Sequence, residues 1–236
     1  MTEERGARLR AAAGLIPAGS RVADIGSDHG QLPRMLLSSG RASFCVATER
    51  RERQLARIRR PPAEDPLASR LVLRSGDGLR PLRPDDRLDV VVLAGMGART
   101  IVRILDDPCR VGLRVRRLVI QPQSEIARLR RWLASRELRI VDETLVRDRG
   151  HYYVALAAES GPGGACAGHP HLNEEDLFEV GPCLLASRDP LVRRYWRVRR
   201  RREERVLLRA RGAGRAAATR RRDLACKVLA LLGETS

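Results

Sequence analysis

Asp28 and His29 are the most polar point of a short glycine-flanked loop, GSDHG at 26–30, which follows the apolar run VADI. Two more acids stand at comparable places. Glu49 closes the run FCVAT, and Asp77 lies in SGDG at 75–78. A fourth apolar run, LDVVVL, opens into the small residues of AGMGA at 94–98. Glycine at such a place lets the backbone turn close to a ligand. An acid at the end of the second strand typically accepts both hydroxyls of a ribose. Asp77 is placed to accept from an adenine amino group, and Ala94–Ala98 leave room for a flat ligand. Neither GxGxxG nor a P-loop occurs, so no phosphate cradle is expected. A phosphate-free adenosyl cofactor such as S-adenosylmethionine needs none. Each loop alone has a plainer reading: Asp28, for instance, would serve as N-cap of a helix starting near Gln31. Four such loops in strand order are more specific than any one of them.

The elements that must position these residues alternate. Helical spacing is expected over residues 4–13, 31–39, 51–60, 100–105 and 124–135, with Pro61-Pro62 ending the third helix. Strands are expected at 21–25, 42–48, 71–73, 88–93 and 118–120. Two last strands, 138–146 and 152–158, are separated by the turn DRGH and should form a hairpin. Continuous apolar strands alternating with helices specify a mostly parallel sheet covered on both faces. The fold class is α/β. A parallel sheet ending in an antiparallel hairpin suggests the Rossmann-like fold of S-adenosylmethionine-dependent methyltransferases. In such a sheet ligands bind at the carboxyl ends of the strands, near the switch point where the first strand should sit.

The chain has 236 residues, 43% of them hydrophobic, with a net charge of +17. Its 46 basic residues are 45 arginines and Lys227, a bias that reflects coding habit as much as function. The uncompensated charge calls for a polyanion, foremost nucleic acid. SGPGGACAGHP at 160–170 is a glycine-rich linker and domain boundary. Beyond it, helices over 190–211 and 215–232 joined by Gly-Ala-Gly form an αα-hairpin, packed as a short antiparallel coiled coil through Leu191, Tyr195 and Val198 against Ala217, Leu224, Val228 and Leu231. From residue 191 onward, fourteen arginines and one lysine face four carboxylates, so +11 of the +17 lies on this hairpin. Arginines can simply solvate a helix face, but like charges at i,i+4 destabilise a helix with nothing to bind, which favours a polyanion-binding face.

The five cysteines are scattered without a CxxC pair, so neither a zinc site nor a disulfide framework is expected, and a reducing cytoplasm fits. No leader or membrane-length apolar run is visible. Asp28-His29 would need further ligands to hold a metal, and His151, His169 and His171 lie on the hairpin turn and linker. No metal is expected.

DIGSDHGQLP, SGDGL, AGMGA and IQPQ, in that order, resemble the bacterial tRNA adenine-22 N1-methyltransferase family, whose strings are close to DIGSDHAYLP, GDGL, AGMGG and LQPN. FEVGPCLL at 178–185 and the basic hairpin extend the resemblance over nearly the whole chain. It implies methyl transfer from S-adenosylmethionine to N1 of an adenine in the tRNA D-loop region, by a cytoplasmic, monomeric enzyme. Residues 1–160 would be the cofactor-binding domain, and 161–236 the linker and helical hairpin. Asp24, Gly26, Ser27, His29, Glu49, Gly76, Asp77, Gly95 and Met96 would line the cofactor site, and Asp28 would be catalytic or orient the base. Gln121, Pro122 and Gln123 would stand where related base methyltransferases place an Asn/Asp-Pro-Pro-aromatic loop. Arg193, Arg194 and Arg197 would contact RNA, with Tyr195 and Trp196 available to stack on it. Trp132 should pack its helix onto the sheet. Gly30-Gln31 replaces the family's Ala-Tyr and removes an aromatic that would stack on the target, while Gln123 replaces Asn. The alternatives are another RNA position, a non-catalytic RNA-binding module, and a small-molecule methyltransferase whose hairpin mediates oligomerisation.

Overall fold

A computed structural model describes residues 6–62, 64–107, 115–161 and 169–234. It divides into two compact units, Met1–Ala165 and Cys166–Ser236. In the first, α1 (Ala7–Gly14) precedes β1 (Ser20–Ile25), α2 (Gln31–Ser38), β2 (Ala42–Glu49), α3 (Glu52–Leu55), β3 (Leu71–Ser75) and β4 (Val90–Met96). Then come α4 (Ala98–Leu105), β5 (Arg117–Pro122), α5 (Ile126–Ser135), β6 (Leu138–Asp148) and β7 (His151–Ser160). The seven strands run in the order β3-β2-β1-β4-β5-β7-β6. β1 to β5 pair in parallel, while β7 is antiparallel to both β5 and β6. The order reverses beside β1, which pairs with β2 on one side and β4 on the other. The expected hairpin is there, its later strand inserted next to β5. Its tip is a two-residue turn with Arg149 at φ 49° and Gly150 at φ 81°, the left-handed pair that matches strand twist.

Alternate side chains of the same strands feed two cores. Val22, Val92 and Val119 pack with Ala12 of α1, Ile16 just after it, and Leu32 and Leu36 of α2. Ala23, Val91, Leu93 and Ile120 pack on the other face with Ile101 and Ile104 of α4 and Leu129 and Leu133 of α5. Trp132 packs against this second core as expected, and its Nε1–H donates to Asp106 at 3.1 Å.

Several boundaries differ from expectation. The helix expected over 51–60 is only Glu52–Leu55, with no buried residue. Only Leu55 and Ile58 of the stretch reach the core while its arginines are exposed, and the residue before Pro61 is disfavoured in a helix. Strand β4 runs on through Met96, and β5 through Pro122, so Gln121 and Pro122 belong to the strand rather than to the loop after it. Most of the expected linker, 162–168, lies outside the described residues.

The second unit contains α6 (Glu174–Val180), α7 (Pro182–Ser187), α8 (Pro190–Leu207) and α9 (Gly212–Leu231). The turn between α8 and α9 is made by residues 208–211, and Gly-Ala-Gly forms the first turn of α9 rather than the connection. The packing stripe of α8 is also rotated from the expected one. Val192 and Trp196 are buried together with Glu203, whereas Val198 is 47% exposed. Asp189 accepts the N–H of Leu191 at 2.7 Å and sets this phase, which hides the large indole. Glu203 tolerates burial because Arg221 of α9 pairs with it at 2.8 Å. On α9, Val228 is buried as expected, but its companions are Ala218, Ala225 and Leu229. Contrary to the expectation from cysteine spacing, Cys183 is disulfide-bonded, while Cys45 and Cys226 are free.

Candidate active site

The loops at the carboxyl ends of β1 to β4 converge. Gly26 takes φ 71°, and its N–H and that of Ser27 both donate to the Thr48 carbonyl, at 2.9 and 3.0 Å. The chain thus folds sharply over the end of β2. A Cβ on Gly26 would stand 2.4 Å from Cε of Met96, so the absent side chain leaves room for the methionine tip. Glu49 is nearly buried, and its Oε1 accepts the N–H of Asp28 at 2.6 Å. Its Oε2 has no partner among the described residues.

These residues line a cavity of about 440 Å³ that includes Gly26, Thr48, Glu49, Gly76, Asp77 and Met96, within the usual range for a small-molecule cofactor. The carboxylate that can take a ribose, the acid that can take an adenine amino group and the bare glycine wall share one space. The donor set fits an adenosyl group without phosphate. Arg103 also lines the cavity and was not singled out from sequence. It lies 3.1 Å from Asp77, and its hydrogen bond holds that carboxyl below the usual range. Thr100, Arg103 and Ile104 share one face of α4 at helical spacing, a signal available once the AGMG loop is placed.

Asp24 lies beneath this space rather than on its wall. It is buried and accepts from Ser27 Oγ at 2.6 Å. Burial pushes its carboxyl up to about 6; the Ser27 hydrogen bond opposes the shift and the charge of Glu49 adds to it. Asp28 has φ 52°, and its side chain is 64% exposed, 3.6 Å from His29 Nε2. It caps no helix: α2 starts after Gly30, with no side-chain cap. The plainer reading of Asp28 is therefore overturned. Gly30 has a steric reason, because a Cβ there would meet Ile58 Cγ2 at 2.6 Å.

Gly95 lies on another side of the Met96 loop. A Cβ on it would stand 3.4 Å from Arg8 Nη1 and 3.9 Å from Gln123 Nε2. The Gln123 N–H donates to the Met96 carbonyl at 2.8 Å, tying the ends of β4 and β5 together.

Five expected contacts meet a different arrangement. Gln121 is fully buried, and its Nε2 donates to the Pro122 carbonyl at 2.9 Å; at the end of a strand inside the sheet, neither it nor Pro122 forms a base-facing loop. In the second unit, Arg193 donates to the Leu232 carbonyl and Arg197 pairs with Glu234 at 2.7 Å, so both close α8 on the end of α9. Trp196 is buried under Arg199, 4.9 Å from its ring centroid, and cannot stack on RNA. Arg194 is exposed, with no ion pair among the described residues.

A seven-stranded sheet reversing beside β1, with an adenosyl-shaped set of donors and acceptors at that point, defines a Rossmann-like methyltransferase. The profile of the TrmK family, tRNA (adenine(22)-N(1))-methyltransferase, matches residues 22–232, and the chain belongs to that family. It is 31% identical over 189 residues to the Bacillus subtilis (strain 168) tRNA (adenine(22)-N(1))-methyltransferase, covering 80% of this chain and 78% of that one. The crystal structure of the Bacillus subtilis m1A22 tRNA methyltransferase TrmK superposes with a TM-score of 0.78 at 27% identity, over 94% of this chain and 97% of the other. A Streptococcus pneumoniae structure, described as a proposed tRNA (m1A22) methyltransferase in complex with S-adenosyl-L-methionine, gives 0.79 at 26% identity, over 96% and 100%.

Proposed function

We propose that this chain methylates N1 of adenine 22 in the D-loop region of tRNA, with S-adenosyl-L-methionine as methyl donor, and that it works as a cytoplasmic monomer. Membership of the family carries this reading, and the cavity that joins Glu49, Asp77 and Gly26 supports it. No helix among the described residues is long and apolar enough to cross a membrane.

S-adenosylmethionine supplies an electrophilic methyl group when bound. Glu49 would hold the ribose through its free Oε2, Asp77 the adenine amino group, and Gly26 with Met96 the middle of the molecule. Ser27, Asp24 and His29 would shape the loop around it, with Gly76 giving close backbone approach. Adenine N1 carries an in-plane lone pair, so no general base is needed to create a nucleophile. The protein must extract the base from its stack and hold N1 in line, at about 3 Å from the methyl carbon. Positive charge then develops on the ring and acidifies the exocyclic amine. The exposed carboxylate of Asp28 would accept that N–H and stabilise the charge. The arginine-rich hairpin would hold the RNA backbone, leaving chemistry to residues 1–160.

Methyl transfer to total tRNA lacking the modification, followed by mapping of the modified nucleoside, tests the proposal. Label on N1 of adenine 22 is expected. Label on N6 or on another nucleotide would refute the position, and tight tRNA binding without transfer would favour a non-catalytic RNA-binding module.

A further inference from the structure

Arg8 is partly buried, its guanidinium lies beside Gly95, and it has no carboxylate partner among the described residues. Other partly buried arginines are satisfied, Arg74 by Asp86 and Arg117 by Glu159, and Arg21 and Arg70 by backbone carbonyls. Leaving one unpaired carries a desolvation cost, which an incoming anion would offset. The Arg8 N–H donates to Asp148 Oδ2 at 3.4 Å, so α1 starts against the end of β6. Opposite, Gln123 Nε2 approaches the same bare glycine, and its backbone is tied to Met96. Two side-chain donors from separate elements therefore converge on Gly95 at the end of β4, next to Met96 of the cofactor cavity.

We infer that Arg8 binds a phosphate flanking the target nucleoside and so seats the flipped nucleotide over Gly95. The choice between base and phosphate follows from charge. The adenine ring becomes cationic as N1 is alkylated, so a guanidinium on its edge would oppose the reaction. A phosphate gains from the same group, whose fork of N–H donors matches its oxygens. Gln123, being neutral, can face the ring without that penalty. The inference rests on the proposed function, because it requires a nucleotide extracted from RNA.

The test compares full-length wild type, Arg8→Ala and Arg8→Lys on tRNA. Arg8→Ala should raise KM and the tRNA dissociation constant by about tenfold, the effect of losing one charged hydrogen bond. It should also reduce the salt slope of binding by about one. Calorimetric affinity for S-adenosylmethionine should stay unchanged, and Arg8→Lys should recover part of the loss. Methylphosphonate placed on either side of the target adenosine should weaken wild type at one of the two positions and leave Arg8→Ala unaffected there. Equal penalties in both proteins, or a lost cofactor affinity in Arg8→Ala, would overturn the inference. If wild type binds tRNA but methylates nothing, the proposed function fails separately, since these binding comparisons still report on Arg8.

Discussion

Single carboxylates in the first loop do different work according to their burial. Asp28 is open to solvent while Asp24, four residues earlier, is enclosed. Asp28→Ala should keep S-adenosylmethionine affinity in calorimetry and lose most methyl transfer to tRNA; unchanged turnover would remove Asp28 from the mechanism. Asp24 has a pH signature. Its carboxyl ordinarily titrates near 3.8 and is raised to about 6 here. Between those values the folded chain holds a proton that the unfolded chain has released, so stability falls as pH rises from about 4 to 6. The loss is on the order of 3 kcal/mol for a shift of about two units. Asp24→Asn, which keeps an acceptor for Ser27, should abolish that decline in thermal unfolding measured from pH 4 to 8. A decline that persists in the variant would assign it to another group.

At the level of the element, α8 separates arginines that hold the hairpin together from arginines that face outward. Arg193, Arg197, Arg199 and Arg200 contact the end of α9, the acids Glu179, Glu204 and Glu234, or the Trp196 ring. Arg194, Arg201, Arg202 and Arg205 are exposed; by helical spacing the first, second and last lie opposite Val192, Trp196 and Glu203, and Arg202 lies on the flank. Replacing Arg194, Arg201 and Arg205 by Glu should weaken tRNA binding by at least about tenfold, with little change in Tm. Arg193→Ala should do the reverse, lowering Tm with a small effect on tRNA. A filter-binding and thermal-shift comparison checks both. The sequence showed the charge of this helix but not its phase. An arginine-rich stretch gives a weak apolar signal, and the Asp189 cap together with the bulk of Trp196 turned the buried face by one residue from Leu191–Tyr195 to Val192–Trp196.

Taken as a whole, the molecule carries +17 with most of it on one helical hairpin. Affinity for tRNA should therefore fall steeply with added salt. If the four outward arginines of α8 each neutralise a phosphate, log K against log salt has a slope of about −3. Affinity for S-adenosylmethionine, bound in a cavity with its own acids, should change little. Titrations of both ligands between 50 and 200 mM salt, roughly a fourfold range, distinguish the two behaviours, and a flat tRNA profile would contradict an electrostatic grip.

The strands and the acid-and-glycine loops were legible in the sequence because buried parallel strands are continuous apolar runs and the turns after them need particular residues. DIGSDH, Glu49, SGDG and AGMG could be assigned to one ligand before any coordinates, since the carboxyl ends of such strands must meet at the switch point. The tertiary structure alone decided which side chains reach that point. It buried Gln121 in the sheet, sank Asp24 under Ser27, brought Arg103 across to Asp77 and swung Arg8 over Gly95 from a helix more than eighty residues away in sequence. Such contacts depend on how elements pack against one another, and local spacing carries no record of that packing.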